Sequence, residues 1–254
     1  RFNWMDTRSI TNRMVAEMTE MRKVIVNGEF EITLPEHRAA RPDWYQPHGW
    51  EKPRLKHMSE NIFSGDVMYY VGAEEGEFAA LCQMWGAEVV VFEPNPKVWS
   101  HFPLLWSANN LDLPMVCIPG FASDKINSLS RIYYNEWPPE VNDVIEAAHG
   151  FKELYLEGET YGQITIDSCV YDHGIKPPTA ISLDVEGSEW RVLGGAERVL
   201  REHKPKIWLS GHPEFMLQQW NESLYNLRQW IKGLGYTEII LDYQHEVHLY
   251  YESI

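Results

Sequence analysis

The chain is short of positive charge and of cysteine. Lysine and arginine together number 22 against 37 aspartates and glutamates, a formal net charge of −15 over 254 residues. Extended contact with a nucleic-acid backbone needs cations to displace counterions, so that class of function is disfavoured. The three cysteines, Cys82, Cys117 and Cys169, are scattered, and no C-x-x-C pair exists. Free buried thiols in a reducing compartment, hence a cytoplasmic protein, are the expectation. No apolar run approaches the ~18 residues of a membrane span. The opening RFNWMDTRSITNRM lacks the apolar core of a signal peptide. There is no internal repeat and no low-complexity tract. Tryptophan is plentiful, 11 residues, and is expected mainly in the core and between layers. The length suits one large α/β domain.

The stretch Val67 to Ala87, VMYYVGAEEGEFAALCQMWGA, organises the rest. Val67 to Val71 are strand formers. Gly72 to Gly76 make a turn, and Phe78, Ala79, Leu81, Cys82 and Trp85 then recur at helical spacing. Strand, glycine turn and helix form the first half of a nucleotide-binding βαβ unit. Glu88 to Phe92 supply the next strand, and Glu93 ends it, where a ribose hydroxyl is held in such units. The turn carries Glu74, Glu75 and Glu77, which would repel a pyrophosphate. They suit the ammonium and sulfonium of S-adenosylmethionine better. An ordinary βα turn with solvated glutamates is the plainer alternative.

Thr11 to Arg22 reads as a short helix. Lys23 to Leu34 reads as a hairpin around Asn27-Gly28, since both central residues of a type I′ turn need positive φ. Pro35 to Pro53 is an irregular cover, and Glu51 to Ile62 a helix. Five strands are expected at Val67–Val71, Glu88–Glu93, Met115–Pro119, Thr179–Asp184 and Lys206–Ser210. Helices are expected at Glu77–Trp85, Lys97–Asn109, Ser188–His203 and Pro213–Gly233. Such alternation implies a parallel sheet covered on both faces. Gly120 to Thr160 reads as a lid or a plain surface insertion, and Gln163 to Val170 as an edge strand or bridging segment. Tyr236–Asp242 and Val247–Glu252 are separated by only four residues, which permits an antiparallel pair but no crossover.

Three blocks resemble the FkbM family of S-adenosylmethionine-dependent methyltransferases. The first is Val71-Gly72-Ala73-Glu74-Glu75-Gly76. The second is Phe92-Glu93-Pro94-Asn95-Pro96 with the downstream Ala108-Asn109-Asn110-Leu111. The third runs from Leu183-Asp184-Val185-Glu186-Gly187-Ser188-Glu189 through Val192-Leu193-Gly194-Gly195-Ala196 to Lys204-Pro205-Lys206. The resemblance implies an α/β fold of the class I methyltransferase (Rossmann-like) type: a mostly parallel seven-stranded sheet with an antiparallel last strand, here with an N-terminal β-hairpin. It divides the chain into an N-terminal arm, hairpin and cover over 1–62 and a methyltransferase domain over 63–254, with an insertion at about 120–165.

The activity implied is methyl transfer to a hydroxyl on a small molecule or glycan. Gly72, Ala73, Glu74 and Gly76 would pass under the methionine part of the cofactor. Glu93 would take the ribose, Pro94 and Asn95 the adenine side, and Phe121, Ala122 and Ser123 would wall the adenine. Asp184 would stand beside the reactive methyl. Tyr70 departs from the Asp usual in the family. That substitution keeps open a second reading, a non-catalytic or altered-cofactor binding protein that retained the fold. An NAD-dependent oxidoreductase is disfavoured by the acidic turn.

Methyl transfer to an alcohol needs the acceptor aligned and its proton removed. Strand ends should bring together Asp184, Glu186, His212, Asp242 and His245. The expected base is Asp184 or His212. The alternative is a divalent-metal site at Asp184, Glu186, His212 and His245, or merely capping and solvated residues. His248 is expected deeper or on the other face, and Ser188 is expected to cap its helix.

Overall fold

The computed structural model describes residues 20–41, 49, 51–139, 161–243 and 246–253. The helix expected from Thr11 lies outside the described residues up to 19; Met21 and Arg22 belong to a strand instead. That strand, β1 (Met21–Val26), pairs with β2 (Phe30–Pro35) as the expected hairpin. Asn27 and Gly28 have φ of 55° and 74°, the positive values such a turn requires. A short helix, α1 (Glu36–Ala39), and then α2 (Lys52–Asn61) lead into β3 (Val67–Val71).

From β3 the chain alternates. α3 (Glu77–Met84), β4 (Glu88–Phe92), α4 (Phe102–Ala108) and β5 (Val116–Ile118) complete the first half. The helix expected over Lys97–Asn109 begins as a separate 3₁₀ turn, Val98–Ser100. Pro103, in the first turn of α4, lacks the N–H that would have joined the two. The region of the expected insertion contains β6 (Phe121–Ala122) and β7 (Tyr133–Tyr134); residues 140–160 lie outside those described. β8 (Gln163–Ile164) runs parallel to β6 and does not join the large sheet, and most of the range Gln163 to Val170, expected as an edge strand or bridging segment, is helical instead. α5 (Ile166–Tyr171) follows, capped by the Thr165 hydroxyl, which accepts from the Ser168 N–H.

The second half consists of β9 (Ala180–Leu183), α6 (Glu189–Gly194), α7 (Glu197–Glu202), β10 (Lys206–Gly211), α8 (Pro213–Trp220), α9 (Leu224–Gly233), β11 (Tyr236–Tyr243) and β12 (Val247–Ser253). Two helices expected to be continuous are each broken. Between α6 and α7, a Cβ on Gly195 would stand 1.9 Å from the Ser123 carbonyl oxygen, so the backbones touch there. The Asp167 carboxylate then accepts from the N–H groups of Arg198 and Val199 and starts α7 afresh. Between α8 and α9, Asn221 turns left-handed at φ 55°. Ser188 makes no side-chain cap to α6.

The central sheet has eight strands in the order β11-β12-β10-β9-β3-β4-β5-β7. The expected seven are all present; the eighth is the short β7, antiparallel to β5. β5, β4, β3, β9 and β10 run parallel, and β12 is antiparallel to both its neighbours. The order reverses between β3 and β9, which opens a crevice at the carboxyl ends of these two strands. Side chains alternate across the sheet. Val67, Tyr69 and Val71 join the core beneath α5, α6, α7 and α9, while Met68 and Tyr70 join the core beneath α2, α3, α4 and the hairpin. The hairpin is docked by Asn109, whose side chain accepts from the Thr33 N–H and donates to the Thr33 carbonyl. Cys82, Cys117 and Cys169 are buried free thiols, as expected. Among the described residues no helix is long and apolar enough to cross a membrane.

Glu238 on β11 ties α9 to the final hairpin. It accepts from Arg228, 2.6 and 2.9 Å away, and from the Tyr251 hydroxyl at 2.7 Å, with Lys232 Nζ at 2.9 Å. Burial would raise this carboxyl, but those donors outweigh it and bring its pKa to about 2. A depressed carboxyl stabilises the fold above its unfolded value near 4.5, and the contribution disappears as pH falls towards 2. Glu238→Gln should therefore lower Tm by about 2–4 °C at neutral pH. Thermal melts taken at decreasing pH should show wild type and variant converging below pH 4.5.

Candidate active site

The crevice is shaped by a contact that only glycine allows. Gly72, the first residue after β3, has φ 80°, and a Cβ built on it would lie 1.8 Å from the Asp184 carbonyl oxygen. The Asp184 N–H donates to the Val71 carbonyl, and the Gly72 N–H to the Phe92 carbonyl. The ends of β3, β4 and β9 are thus laced together at one point. Gly76 then opens α3 at φ 88°, with Phe102 and Trp106 leaving no room for a Cβ.

Glu93 sits where the sequence placed it, one residue past β4. Its Oε2 accepts from the Glu74 N–H and its Oε1 from the Asn95 N–H, both at 2.7 Å. Burial raises its pKa to about 8 against the pull of these two bonds. Each oxygen keeps a further lone pair, so this pair of acceptors fits a ribose diol without displacing either backbone bond. Asn95 thereby supports Glu93 through its backbone; its side-chain oxygen accepts from the Lys97 N–H. Pro94 lies half-buried between them.

The glutamate side chains of the glycine turn are held by neighbouring side chains. Arg38, from α1, takes the Glu74 carboxylate in a two-pronged pair at 2.5 and 3.1 Å and reaches the buried Glu77 at 2.6 Å. Glu75 Oε2 lies 2.8 Å from His101 Nδ1 and 3.3 Å from His37 Nε2. One guanidinium, Arg38, and two imidazoles at hydrogen-bond distance therefore engage these carboxylates. The Glu74 carboxylate is held by Arg38 and its N–H is taken by Glu93 Oε2. Ala122 is buried in β6, and Ser123 is fully buried, its hydroxyl 3.2 Å from Gln163 Oε1, so the Ser123 side chain faces the interior.

Tyr70 fills the position of the family's usual Asp. It is buried beside Ser182, and the Ser182 hydroxyl accepts from Arg54 Nη2 at 2.7 Å. Arg54, from α2, is sealed in the core and paired with Glu51. An aromatic hydroxyl, a serine and a guanidinium thus occupy the floor of the crevice.

At the carboxyl ends of β9 and β10 three members of the expected cluster, Asp184, Glu186 and His212, come together, with additions. His212 Nε2 lies 3.7 Å from both Asp184 Oδ1 and Glu186 Oε2. Its neighbours at hydrogen-bond distance are residues the sequence reading passed over: Glu189 Oε1, 2.6 Å from Nδ1, and Glu246 Oε2, 2.8 Å from Nε2. Burial would lower the histidine's pKa, but Glu189, Glu246 and Asp184 outweigh it and raise it to about 11. That direction favours the imidazolium, which has no lone pair to take an alcohol's proton, and so counts against the expected role of His212 as base. Asp184 is pushed well above the carboxylate range by burial and by the charges of Glu246 and Glu51.

His248 is deeper, as expected: fully buried, its Nδ1 is 3.2 Å from the Ser210 hydroxyl, and burial with nearby Arg54 lowers its pKa to about 4. Asp242 Oδ1 accepts from the Tyr243 N–H, and His245 lies outside the described residues. The signal that could have revealed Glu246 was its place opening β12, directly across from the end of β10.

Residues 66–238 match the methyltransferase FkbM domain. No curated protein matches the chain. Among solved structures, methyltransferase FkbM from Methylobacillus flagellatus KT is similar at 19% identity and a TM-score of 0.45; the match covers 73% of this chain and 43% of that one. The chain thus spans less than half the length of that relative. A precorrin-6y C5,15-methyltransferase from Geobacter metallireducens GS-15 matches at 10% identity and a TM-score of 0.41, covering 80% of this chain and 88% of its own. A methyltransferase from Pyrococcus furiosus matches at 12% and 0.39, covering 98% of each.

The Arg38 clamp gives a direct test. Removing one partner of a buried pair costs about 3–5 kcal/mol, because the other charge is stranded. Arg38→Ala should lose stability on that scale in urea unfolding, and adding Glu77→Gln should restore part of it. Independent, additive effects of the two substitutions would show that no coupling exists.

Proposed function

Since the chain belongs to the FkbM methyltransferase family, we propose that it binds S-adenosylmethionine along β3 and β4 and methylates a hydroxyl on a small molecule or glycan. The observation that carries this reading is Glu93, whose two oxygens are fixed by backbone N–H groups at the mouth of the crevice. S-adenosylmethionine supplies, when bound, an electrophilic methyl on a sulfonium whose leaving group is neutral. The chain's part is to hold and orient. Gly72 lets the backbone approach closely, Glu93 accepts from the ribose hydroxyls, and Asn95 and Glu74 keep its carboxylate turned to them.

A hydroxylic acceptor fits the acidic side of the crevice. Asp184 and Glu186 are the carboxylates there with solvent access, at 24% and 46% side-chain exposure, whereas Glu189 and Glu246 are sealed. Carboxylates accept hydrogen bonds from alcohols and repel anionic acceptors. Asp184 is the group placed to receive the acceptor's proton; His212, as the imidazolium that its neighbours favour, fixes the surrounding carboxylates by charge. The rival reading, a binding protein without turnover, draws on Tyr70 and Arg54, which put an aromatic and a cation where the family has an acid.

Calorimetry with S-adenosylhomocysteine tests the cofactor site. At pH 9, above the Glu93 pKa of about 8, the wild-type chain should bind it through an ionised Glu93, and Glu93→Ala should lose about 1.5–3 kcal/mol, roughly 10- to 150-fold in affinity. Unchanged affinity in that variant overturns the assignment of Glu93. No binding at millimolar ligand favours the rival.

A further inference from the structure

Two imidazoles and a carboxylate converge at the glycine turn, apart from the cluster around Asp184. His37, Glu75 and His101 each offer one donor atom, and the three atoms lie within 4.8 Å of one another. They come from three separate segments: His37 from α1, Glu75 from the turn, and His101 from the position just before α4. Both rings aim a nitrogen at the same oxygen, Glu75 Oε2, His101 Nδ1 from 2.8 Å and His37 Nε2 from 3.3 Å. The ring centroids are 5.0 Å apart and the planes are inclined at 53°.

Two imidazoles with one carboxylate are a donor set for zinc, which takes three such ligands and a water at tetrahedral angles. Bonds of about 2.0–2.1 Å then set neighbouring ligand atoms about 3.3 Å apart. That spacing already exists between His37 and Glu75. The His101 side chain, 32% exposed, has room to draw back to it. Charge points the same way independently of these contacts. Among the described residues Arg38 is the guanidinium within ion-pair distance of the turn's glutamates, and it is engaged by Glu74 and Glu77. Glu75, only 19% exposed, has no lysine or arginine within that distance among the described residues. With the three carboxylates ionised and both imidazoles neutral, two negative charges at the turn lack a counter-charge, and a dication matches them. Neither ring has a further hydrogen bond among the described residues, so each tautomer is free to turn a lone pair inward.

We propose that His37 Nε2, His101 Nδ1 and Glu75 Oε2 bind one zinc ion, with water in the fourth position. The half-exposed setting of His37 leaves that position open to solvent. The ion fastens α1 and the start of α4 to the glycine turn, beside the Arg38 pairs that hold the same turn through Glu74 and Glu77. Its role is structural: ligands drawn from three segments convert binding energy into stability of their junction. The assignment is independent of the proposed methyl transfer, since it uses none of the groups given to the cofactor or the acceptor.

The test is calorimetric titration of the untagged, chelator-stripped full chain with Zn²⁺, repeated with Co²⁺ as a spectroscopic stand-in. One saturable equivalent is expected, and Co²⁺ should give the visible absorption of a four-coordinate ion. His37→Ala and His101→Ala should each weaken binding by at least the roughly 10-fold that losing a mere supporting group costs, while circular dichroism stays native. Zn²⁺ should raise Tm in the wild-type chain and in neither variant. If His101→Ala loses its native circular dichroism, His37→Ala decides, because its side chain is 48% exposed and packs little. Absence of saturable binding at millimolar Zn²⁺ overturns the proposal. Binding that survives both substitutions overturns it too, since the ion then sits elsewhere, as at Asp184, Glu186 and His212.

Discussion

The structure depends on the near-contact between Gly72 and the Asp184 carbonyl. Any side chain at 72 would collide with that oxygen. The absence of one lets β3 and β9 close to hydrogen-bonding distance through their last residues, with Asp184 donating to Val71. The reversal of strand order occurs at the same place. A crevice needs two walls that diverge from a fixed base, and here the base is a glycine. Glu93 on one side and Asp184 on the other have their positions set by it, so the two carboxylates form a single rigid unit.

The segment before the alternating core braces the crevice. α1 supplies Arg38, which fixes the glycine turn through Glu74 and Glu77. α2 supplies Arg54 and its partner Glu51 beneath the crevice floor. The hairpin that carries α1 is in turn seated on α4 by Asn109. A turn with three glutamates would repel itself in isolation. It keeps its shape because a guanidinium and two imidazoles from outside the βαβ unit engage its carboxylates.

What the sequence disclosed follows from range. The Asn27-Gly28 hairpin, the five parallel strands and the glycine turn are local patterns of period two, period 3.6 or a few residues, and their positions agree with the structure to within a residue or two. The position of Glu93 was equally legible, since it depends on a strand end next to it in sequence. The breaks at Gly195 and Asn221 were not: the first is imposed by Ser123, some 70 residues away, and the second by a left-handed turn that asparagine tolerates but does not demand. His212 was placed beside Asp184, but the carboxylates that bear on its protonation were not foreseen. The groups that decide it, Glu189 and Glu246, come from separate elements, and only the assembled sheet shows both ring nitrogens already engaged. Likewise the acidity of the glycine turn was visible, but Arg38 as its counter-charge was not.

The three thiols carry a consequence of another kind. Cys82 lies in α3, Cys117 in β5 and Cys169 in α5, each buried and each with its ionisation suppressed by burial. Cys82 and Cys117 sit in the core on the hairpin side of the sheet and Cys169 in the core on the other. A thiolate-seeking reagent can reach them only when the layer around each one opens. The chain thus carries an intrinsic clock for local opening with a marker in each layer. Labelling of Cys169 at a rate different from Cys82 and Cys117 would reveal that the two faces of the sheet come apart separately.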